Sequence, residues 1–419
     1  MGFHNHLSSG PRMVFANNSF VGVPFSPRRH ASDIVRSGVF HSMFTRYCLW
    51  IVTETSADRQ PRSSNRVGWG ACPTANVRRR SMGVVGTTSV KATKQAKPRI
   101  ERTVCVLRDA RLARHQNIHN AAILALPWIL ALGIAVAVPA VLLPHLSDLV
   151  VGFVLYAVTG VGIDVGFHRH FTHRSFKCSR PLQAALAIGG LMAGQAPLIH
   201  WVSTHRRHHE TSDTACDPHS PQQTTKGTLG RIRGVLHAHA GWFFDGKAAN
   251  PLHYAPDIVR DSMLRQADRF YLAWIALGMA VPFGFGWIFD GSFTGGLRCL
   301  FWAGLVRKVL LDHVVFSINS ICHTFGLRRY NTPDNSRNNI YLAIPTFGEA
   351  LHNNHHAAPT SAIFGHAFWE IDLGGYLIRV LEVLRLVWDV NRPTVELNRE
   401  SNSASLAKGP QEEFNSSQW

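Results

Sequence analysis

Residues 149–173 read LVVGFVLYAVTGVGIDVGFHRHFTH, an apolar run that ends directly on a group of histidines. The apolar part, 149–167, is close to the roughly 20 residues that a helix needs to cross a membrane. An earlier run, 121–143, has the same character, and only a short turn separates the two. We therefore predict a helical hairpin in a membrane, with histidines at its inner end.

A second pair of apolar runs follows at 270–289 and 297–318. The last run contains ionisable residues well inside it, among them Arg307, Lys308, Asp312 and His313. Charges at membrane depth are costly, so we expect these side chains to face the bundle interior or each other. The sequence thus predicts four membrane-spanning helices arranged in two hairpins.

A further apolar stretch, 182–199, is about long enough to cross a membrane but lies between two groups of histidines. If both groups bind the same metals, they must lie on one side of the membrane. We therefore predict that this stretch lies along the surface or enters and returns. No Lys or Arg occurs in 127–167, which favours a cytosolic position for every histidine group. The predicted fold class is an all-α integral membrane protein capped by a cytosolic helical domain.

The composition divides the 419-residue chain into a basic arm, a body and a tail. Only 16% of residues are charged, against about 25% in ordinary soluble proteins. The net charge of +17 is concentrated in residues 1–117, which contain 19 Lys and Arg but 5 Asp and Glu. We predict a mostly disordered arm over 1–117, a membrane domain over 118–395 and a disordered tail over 396–419. A solvated tail, a contact with anionic lipid and a transit peptide are three open interpretations of the arm, whereas its scattered arginines do not indicate nucleic-acid binding.

Apolar residues recur at helical spacing over 377–388, which predicts one amphipathic helix that packs on the body or on lipid.

Histidine is the residue type that carries chemistry in this chain. Four of its groups stand out: His168 with His173, then His205, His208 and His209, then Asn319 with His323, and finally His352, His355 and His356. In the second and fourth groups the i, i+3, i+4 spacing predicts one shared helix face. Imidazole suits iron, zinc, copper and nickel, and nine imidazoles exceed what one ion can use. The count therefore favours a centre with two metal ions.

The remaining histidines are better explained as ordinary polar residues. His366 is interpreted as a surface residue. His170 lies between two members of the first group, and we leave it out of the ligand set as a surface extra.

The four groups occur in the segments GFHRHFTHRSF, WVSTHRRHHETSDTACDPHSP, NSICHTFG and GEALHNNHHAAP. These segments, in this order around two hairpins, resemble the membrane fatty acid desaturase family over about 118–390. The likeness is greatest to its first-double-bond (delta-9) branch, which is related to stearoyl-CoA desaturase. The sequence departs from the family pattern at His170 and Asp164, and neither change removes a ligand.

The resemblance implies a di-iron centre with ten ligand positions, the asparagine acting through water: His168, His173, His205, His208, His209, Asn319, His323, His352, His355 and His356. Carboxylates commonly orient such imidazoles. Our candidates for that role are Asp213, Asp217 and Glu349, and each could equally be a solvated acid.

The implied function is an oxygen-dependent acyl desaturase that introduces a cis double bond, at the ninth carbon by family analogy. The acyl group could be carried by CoA, a carrier protein or a lipid. Electrons would come from a separate ferredoxin, cytochrome b5 or flavoprotein reductase, since no His-Pro-Gly-Gly haem motif occurs. The rival enzyme is a membrane di-iron hydroxylase acting on fatty acids or alkanes. The alternative from a different class of protein is a metal transporter. A transporter would need ligands at mid-membrane depth, whereas these histidines lie at predicted helix ends and in aqueous loops, which disfavours it. A bacterial inner membrane is the favoured location, and an organellar membrane is the alternative.

Overall fold

The computed structural model describes residues 105–107, 110–223 and 227–393. The predicted disorder of the arm up to residue 104, and of the tail over 396–419, lies outside the described residues. Those two predictions therefore stay predictions.

The described chain is almost entirely helical. The α-helices of the described residues are α1 Ala110–Ala137, α2 Leu146–Val161, α3 Arg180–Met192, α4 Leu198–Thr211, α5 Thr228–His239, α6 Pro251–Tyr254, α7 Pro256–Arg260, α8 Ser262–Arg269, α9 Tyr271–Asp290, α10 Phe293–Cys299, α11 Arg307–Ser320, α12 Ile340–Ala343, α13 His352–Ala357 and α14 Leu373–Val383. A π-helical segment, Gly162–Thr172, continues α2, and a second one, Leu300–Val306, joins α10 to α11. Short 3-10 turns occupy Pro139–Leu142, Pro221–Gln223 and Gly241–Phe244.

Four two-residue strands complete the described chain: β1 Val106–Leu107, β2 Lys177–Cys178, β3 Ala248–Ala249 and β4 Val387–Trp388. They pair antiparallel, β1 with β3 and β2 with β4. The predicted all-α class therefore describes the chain, with these short pairings as connections.

Three described helices are long and apolar enough to cross a membrane: Ala110–Ala137, Leu146–Thr172 and Tyr271–Asp290. They coincide with three of the four predicted spans, but the bounds of the first were wrong. Its helix begins at Ala110, inside the predicted arm, because residues 110–120 form helix without being apolar. It ends at Ala137, before Pro139 opens a tighter turn.

The fourth predicted span is a continuous helical rod of α10, the second π segment and α11. It carries more charged residues than any of the three apolar helices does. Those residues are nevertheless buried and paired as expected: Lys308 Nζ donates to Asp312 Oδ2 (2.7 Å), and Arg307 donates to Thr159 Oγ1 (3.1 Å) of α2. His313 is exposed and does not join them. A fourth crossing remains a proposal.

The apolar stretch 182–199 is broken in the structure, and neither part has the length of a span. Helix α3 ends at Met192, and α4 begins only at Leu198. Between them Gly194 adopts a positive φ of 72°. Helix α3 packs so closely on the first π segment that a Cβ at Gly162 would overlap the backbone of Gly190.

The predicted helix over 377–388 was wrong at its C-terminal end. Helix α14 stops at Val383, and Arg385 takes a left-handed backbone with φ 57°. The chain then forms β4, so Trp388 lies on a strand paired with Lys177. Apolar periodicity continues across this turn, so the end of the helix could not be predicted from it.

Candidate metal centre

The candidate ligands are placed by short helical segments at one end of the membrane helices. The first π segment carries His168 and is followed at once by His173. Helices α4 and α13 carry three candidate ligands each, and His323 lies just beyond α11. A π segment is an uncommon conformation that is often found at functional sites, because its extra residue changes the direction of the side chains that follow.

Five histidines form what we call the first cluster: His168, His173, His205, His209 and His355. One nitrogen from each lies within 4.8 Å of all the others. The Nε2 atom of His355 is 3.0 Å from Nε2 of His168 and 2.9 Å from Nε2 of His209. The side chains come from three separate elements and converge on one point.

The other four predicted histidines form the second cluster: His208, His323, His352 and His356. Nε2 of His352 lies 3.0 Å from Nε2 of His323 and 3.1 Å from Nε2 of His356. All nine predicted histidines therefore belong to one of two adjacent clusters. Asn319, one helical turn before His323, lines a cavity together with His352, and its role as a ligand remains a prediction.

Helices α4 and α13 each contribute to both clusters, so the helix face that their three histidines share lies against both. In α4, His205 and His209 belong to the first cluster, and His208 belongs to the second. Successive residues are about 100° apart around a helix, so positions i+3 and i+4 diverge. The same spacing in α13 sends His355 to the first cluster and its two partners to the second.

Carboxylates contact the outer nitrogens of the ligand imidazoles. Nδ1 of His323 donates to Asp213 Oδ2 (2.9 Å), and Nδ1 of His208 donates to Asp217 (3.0 Å). Nδ1 of His168 lies 2.9 Å from Glu349 Oε1. Burial alone would raise the pKa of Asp213, but hydrogen bonds from His323 and neighbouring groups lower it to about 2. All three predicted carboxylates are thus in contact with candidate ligands.

The sequence did not reveal a fourth carboxylate, Asp334. Its Oδ2 accepts a hydrogen bond from His356 Nδ1 (2.7 Å), and this hydrogen bond lowers the pKa of Asp334 against the opposing effect of burial. Asp334 lies in the polar loop RRYNTPDNSRNN (328–339), 22 residues before its partner. Nothing in that loop has a periodicity that would indicate which acid faces a histidine.

The clusters have the chemistry of a cation site. Where Nδ1 of His323, His208 or His356 donates to a carboxylate, Nε2 of the same ring carries a lone pair. The Nε2 atoms of neighbouring rings lie at about hydrogen-bond distance from one another, so their lone pairs point at one place. A metal ion at that place would stabilise the arrangement by accepting the lone pairs. Burial and the neighbouring histidines lower the pKa of His209 and His355 well below the usual value, which favours the neutral, metal-binding form. The donor set therefore fits two metal ions.

Three of the other described histidines differ from the sequence-based expectation or were not considered in it. His170 is buried, not at the surface as expected, and its Nδ1 is 3.1 Å from the carbonyl oxygen of Phe176. His366 is half-buried and accepts a hydrogen bond from the Tyr330 hydroxyl (2.9 Å), so its assignment as a plain surface residue was wrong. His219, which the sequence prediction overlooked, is buried with its ring centroid 4.4 Å from that of His208.

A cavity, which we call the central cavity, adjoins both clusters. His168 and His205 of the first cluster and His352 of the second lie in its wall. The remaining wall comes from the start of α4, the 3-10 turn Gly241–Phe244 and α11. The apolar part of the wall is formed by Ala196, Phe243, Val315, Phe316 and Ile318. An apolar chain in this cavity would therefore reach both clusters.

The chain thus combines helices that are long and apolar enough to cross a membrane with two adjacent histidine clusters that could hold metal ions. The family model described as fatty acid desaturase matches residues 141–373. The chain belongs to this family of membrane-bound oxidoreductases, which act on acyl chains and use iron.

The names of individual relatives give different acyl carriers and different positions of reaction. The chain is 46% identical over 245 residues to a hex-5-enoyl-[acyl-carrier protein] acetylenase of Moorena producens (58% of this chain, 76% of the relative). It is 39% identical over 247 residues to an acyl-CoA C20 delta-5 desaturase of Anemone leveillei (58% and 73%). It is 37% identical over 250 residues to delta-9 acyl-lipid desaturase 1 of Arabidopsis thaliana (59% and 77%).

Proposed function

We propose that this protein is an oxygen-dependent desaturase that introduces a cis double bond into an acyl chain at a di-iron centre. The observation that supports the proposal most directly is the pair of histidine clusters, five and four imidazoles, beside one cavity. In the overall reaction two adjacent methylenes lose two hydrogens, and dioxygen takes these with two electrons and two protons to give two waters. Bound iron would supply the dioxygen chemistry, because acid–base side chains cannot remove hydrogen from an unactivated methylene.

The residues of the chain would hold and orient the reactants. The imidazoles of the two clusters would bind the irons, with Asn319 acting through water. Asp213, Asp217, Glu349 and Asp334 would fix the orientation of four of the rings through their Nδ1 atoms. The apolar wall of the central cavity would position the methylenes and exclude water.

Membership of the family implies an acyl substrate and an electron donor, but it does not specify the acyl carrier or the donor protein. CoA, carrier-protein and lipid-linked acyl groups are all represented among the names of the relatives. A separate ferredoxin, cytochrome b5 or flavoprotein reductase would deliver the two electrons. We propose the cytosolic side of a bacterial inner membrane as the location of the centre, with an organellar membrane as the alternative.

The position of the double bond is the part of the proposal with competing support. The resemblance to the first-double-bond branch favours the ninth carbon. Names of relatives include both delta-9 and delta-5. A di-iron hydroxylase would instead give an alcohol.

The test is expression of the full chain in a host without its own desaturase, followed by gas chromatography and mass spectrometry of its fatty acids. A new monounsaturated acid supports the proposal. A hydroxy acid assigns the chain to the rival activity. Unchanged fatty acids, with iron-loaded protein present in the membrane, would contradict both.

A further inference from the structure

The apolar helix Leu146–Thr172 is exposed along only part of its length. Up to Val158 it has exposed apolar side chains, and Phe153 is 74% exposed. None of residues 159–172 is exposed, because other parts of the chain cover them. In a helix that crosses a membrane, an exposed apolar side faces lipid. The lipid-facing side of this helix therefore ends before its histidines begin.

A segment from beyond the fourth helical rod, 340–347 (IYLAIPTF), covers this helix where its exposed side ends. The Tyr156 hydroxyl donates to the carbonyl oxygen of Pro345 (2.7 Å), and the Tyr156 and Phe347 rings stack with 5.9 Å between centroids. A Cβ at Gly160 would overlap the Phe347 ring. Segment 340–347 thus lies against the membrane helix, well before the histidines at its inner end.

The outer side of segment 340–347 is itself apolar. Ile340, Tyr341 and Ile344 are exposed, Tyr341 by 87%, and the segment contains no charged residue. The N–H groups of residues 346–348 donate to the carbonyl oxygens of residues 342–344 (2.8–3.1 Å). Irregular backbone is tolerated at membrane depth only where the protein itself bonds its polar groups, and this turn is bonded in that way.

A second segment, 366–376, lies beside the first. Near one end, Asn338 Nδ2 donates to Glu370 Oε1 (3.4 Å). Near the other end, the Gly374 N–H donates to the carbonyl oxygen of Phe347 (2.7 Å). These two bonds hold the segments side by side, so their outer faces form one surface.

The side chains of the second segment are arranged opposite to those of a water-facing loop. Its two acids, Glu370 and Asp372, are buried, whereas Phe368 and Trp369 are 93% and 61% exposed. Exposed apolar patches mark sites that contact a membrane or another molecule. Exposed aromatic residues are typical of the zone where a bilayer meets water. Buried acids beneath exposed aromatic rings therefore favour lipid over water as the surroundings.

We infer that segments 340–347 and 366–376 lie in the bilayer leaflet on the side of the metal centre, with Tyr341, Phe368 and Trp369 in contact with phospholipid. The argument for lipid over a protein partner is continuity: the surface extends the lipid-facing side of a membrane helix and has the same apolar character. The first segment leads directly into α13, which supplies ligands to both clusters. Contact with the bilayer would therefore help to hold α13 in place.

Photocrosslinking identifies what touches this surface. The photoreactive residue p-benzoylphenylalanine would replace Tyr341 or Phe368 in the full-length, iron-loaded protein, reconstituted in phosphatidylcholine nanodiscs. On illumination its ketone inserts into a C–H bond of the molecule in contact with it, and no atom is lost. Mass spectrometry should show the protein mass increased by one phospholipid. Both side chains are exposed, so an aromatic replacement keeps the packing beneath them.

Two matched positions calibrate the yield. Phe153, on the exposed side of the membrane helix, is the positive control, and Arg260, exposed at the end of α7, is the negative control. We expect lipid adducts at Tyr341 and Phe368 in yields like that at Phe153 and above that at Arg260. Yields no higher than at Arg260 would overturn the inference, as would crosslinks to residues 1–104, to a second copy of the chain or to another protein.

Tryptophan fluorescence gives a second readout that needs no artificial residue. Phosphatidylcholine with brominated acyl chains quenches the emission of tryptophans that touch it. The emission lost on changing from plain to brominated lipid should be greater for the wild type than for Trp369→Phe, in which one lipid-exposed indole is absent. Equal losses would show that Trp369 does not meet lipid and would overturn the inference.

Discussion

Replacing Asp334 with Asn should weaken metal binding in the second cluster. Oδ2 of Asp334 accepts from His356 Nδ1 (2.7 Å), and Oδ1 accepts from the Ser336 backbone N–H (3.0 Å). An Asn side chain offers one oxygen in place of two. In either orientation its amide nitrogen meets an N–H donor, so the variant loses the bond to His356 or the bond to Ser336.

The magnitude follows from what each orientation breaks. An unpaired buried group costs about 1–3 kcal/mol. If the bond to His356 is lost, the ring is free to carry its proton on Nε2, where the lone pair for the metal should be. Loss of such an outer contact typically lowers metal affinity or activity by about 10–100-fold. We expect the variant to retain one iron firmly and to release the other at low chelator concentration.

The assay is metal analysis of the purified protein across a chelator titration, together with product formation by gas chromatography. Asp389→Asn is the matched control, since Asp389 is exposed and pairs with the exposed Lys177. It should bind two irons as the wild type does. Full retention of both irons and of activity by Asp334→Asn would refute the assignment of this carboxylate.

The remaining predictions concern the ligands, the far end of the bundle and the arm. His323→Ala and His352→Ala should each abolish product by gas chromatography while blots show normal protein levels, whereas His115→Ala, at an exposed position, should not; robust product from either of the first two would remove that residue from the ligand set. Arg298→Met should remove the cation that pairs with the buried Asp148 and the partly buried Asp290 and lower stability by about 3–5 kcal/mol, read as a lower melting temperature in detergent, and an unchanged melting temperature would contradict the pairing. Deleting residues 1–81 should leave desaturation largely intact, and complete loss of activity in a truncated protein that reaches the membrane would show a function of the arm.

The apolar helices and the histidine groups could be predicted from the sequence, because their residue spacing depends directly on local helix geometry. Apolar runs located two of the membrane helices within a few residues and the first one only in part. The polar first turns of α1 were not predicted, because hydropathy measures preference for a membrane and not the tendency to form a helix. The end of α14 was not predicted, because the left-handed backbone conformation of Arg385 does not change the spacing of the apolar residues around it.

Among the carboxylates of the site, those close in sequence to a histidine group could be predicted, and the one far from its partner could not. Asp213, Asp217 and Glu349 each lie within a few residues of a histidine group, which made them candidates. Asp334 comes from a loop that only the tertiary fold brings to His356. The sorting of nine histidines into two clusters also depends on how three helices are oriented, and a spacing of i, i+3 and i+4 in one helix does not determine that orientation.

The sorting of ligands between the clusters has a consequence for how the centre is held. The first hairpin, through His168 and His173, contributes only to the first cluster, and the second hairpin, through His323, contributes only to the second. Helices α4 and α13 contribute to both clusters, with neighbouring ligands in each held one turn apart by the backbone. The spacing between the two metal positions is therefore set mainly by these two short helices. Because the hairpins meet the centre at opposite clusters, a shift of one hairpin in the bilayer would disturb one metal position and leave the spacing set by α4 and α13 nearly unchanged.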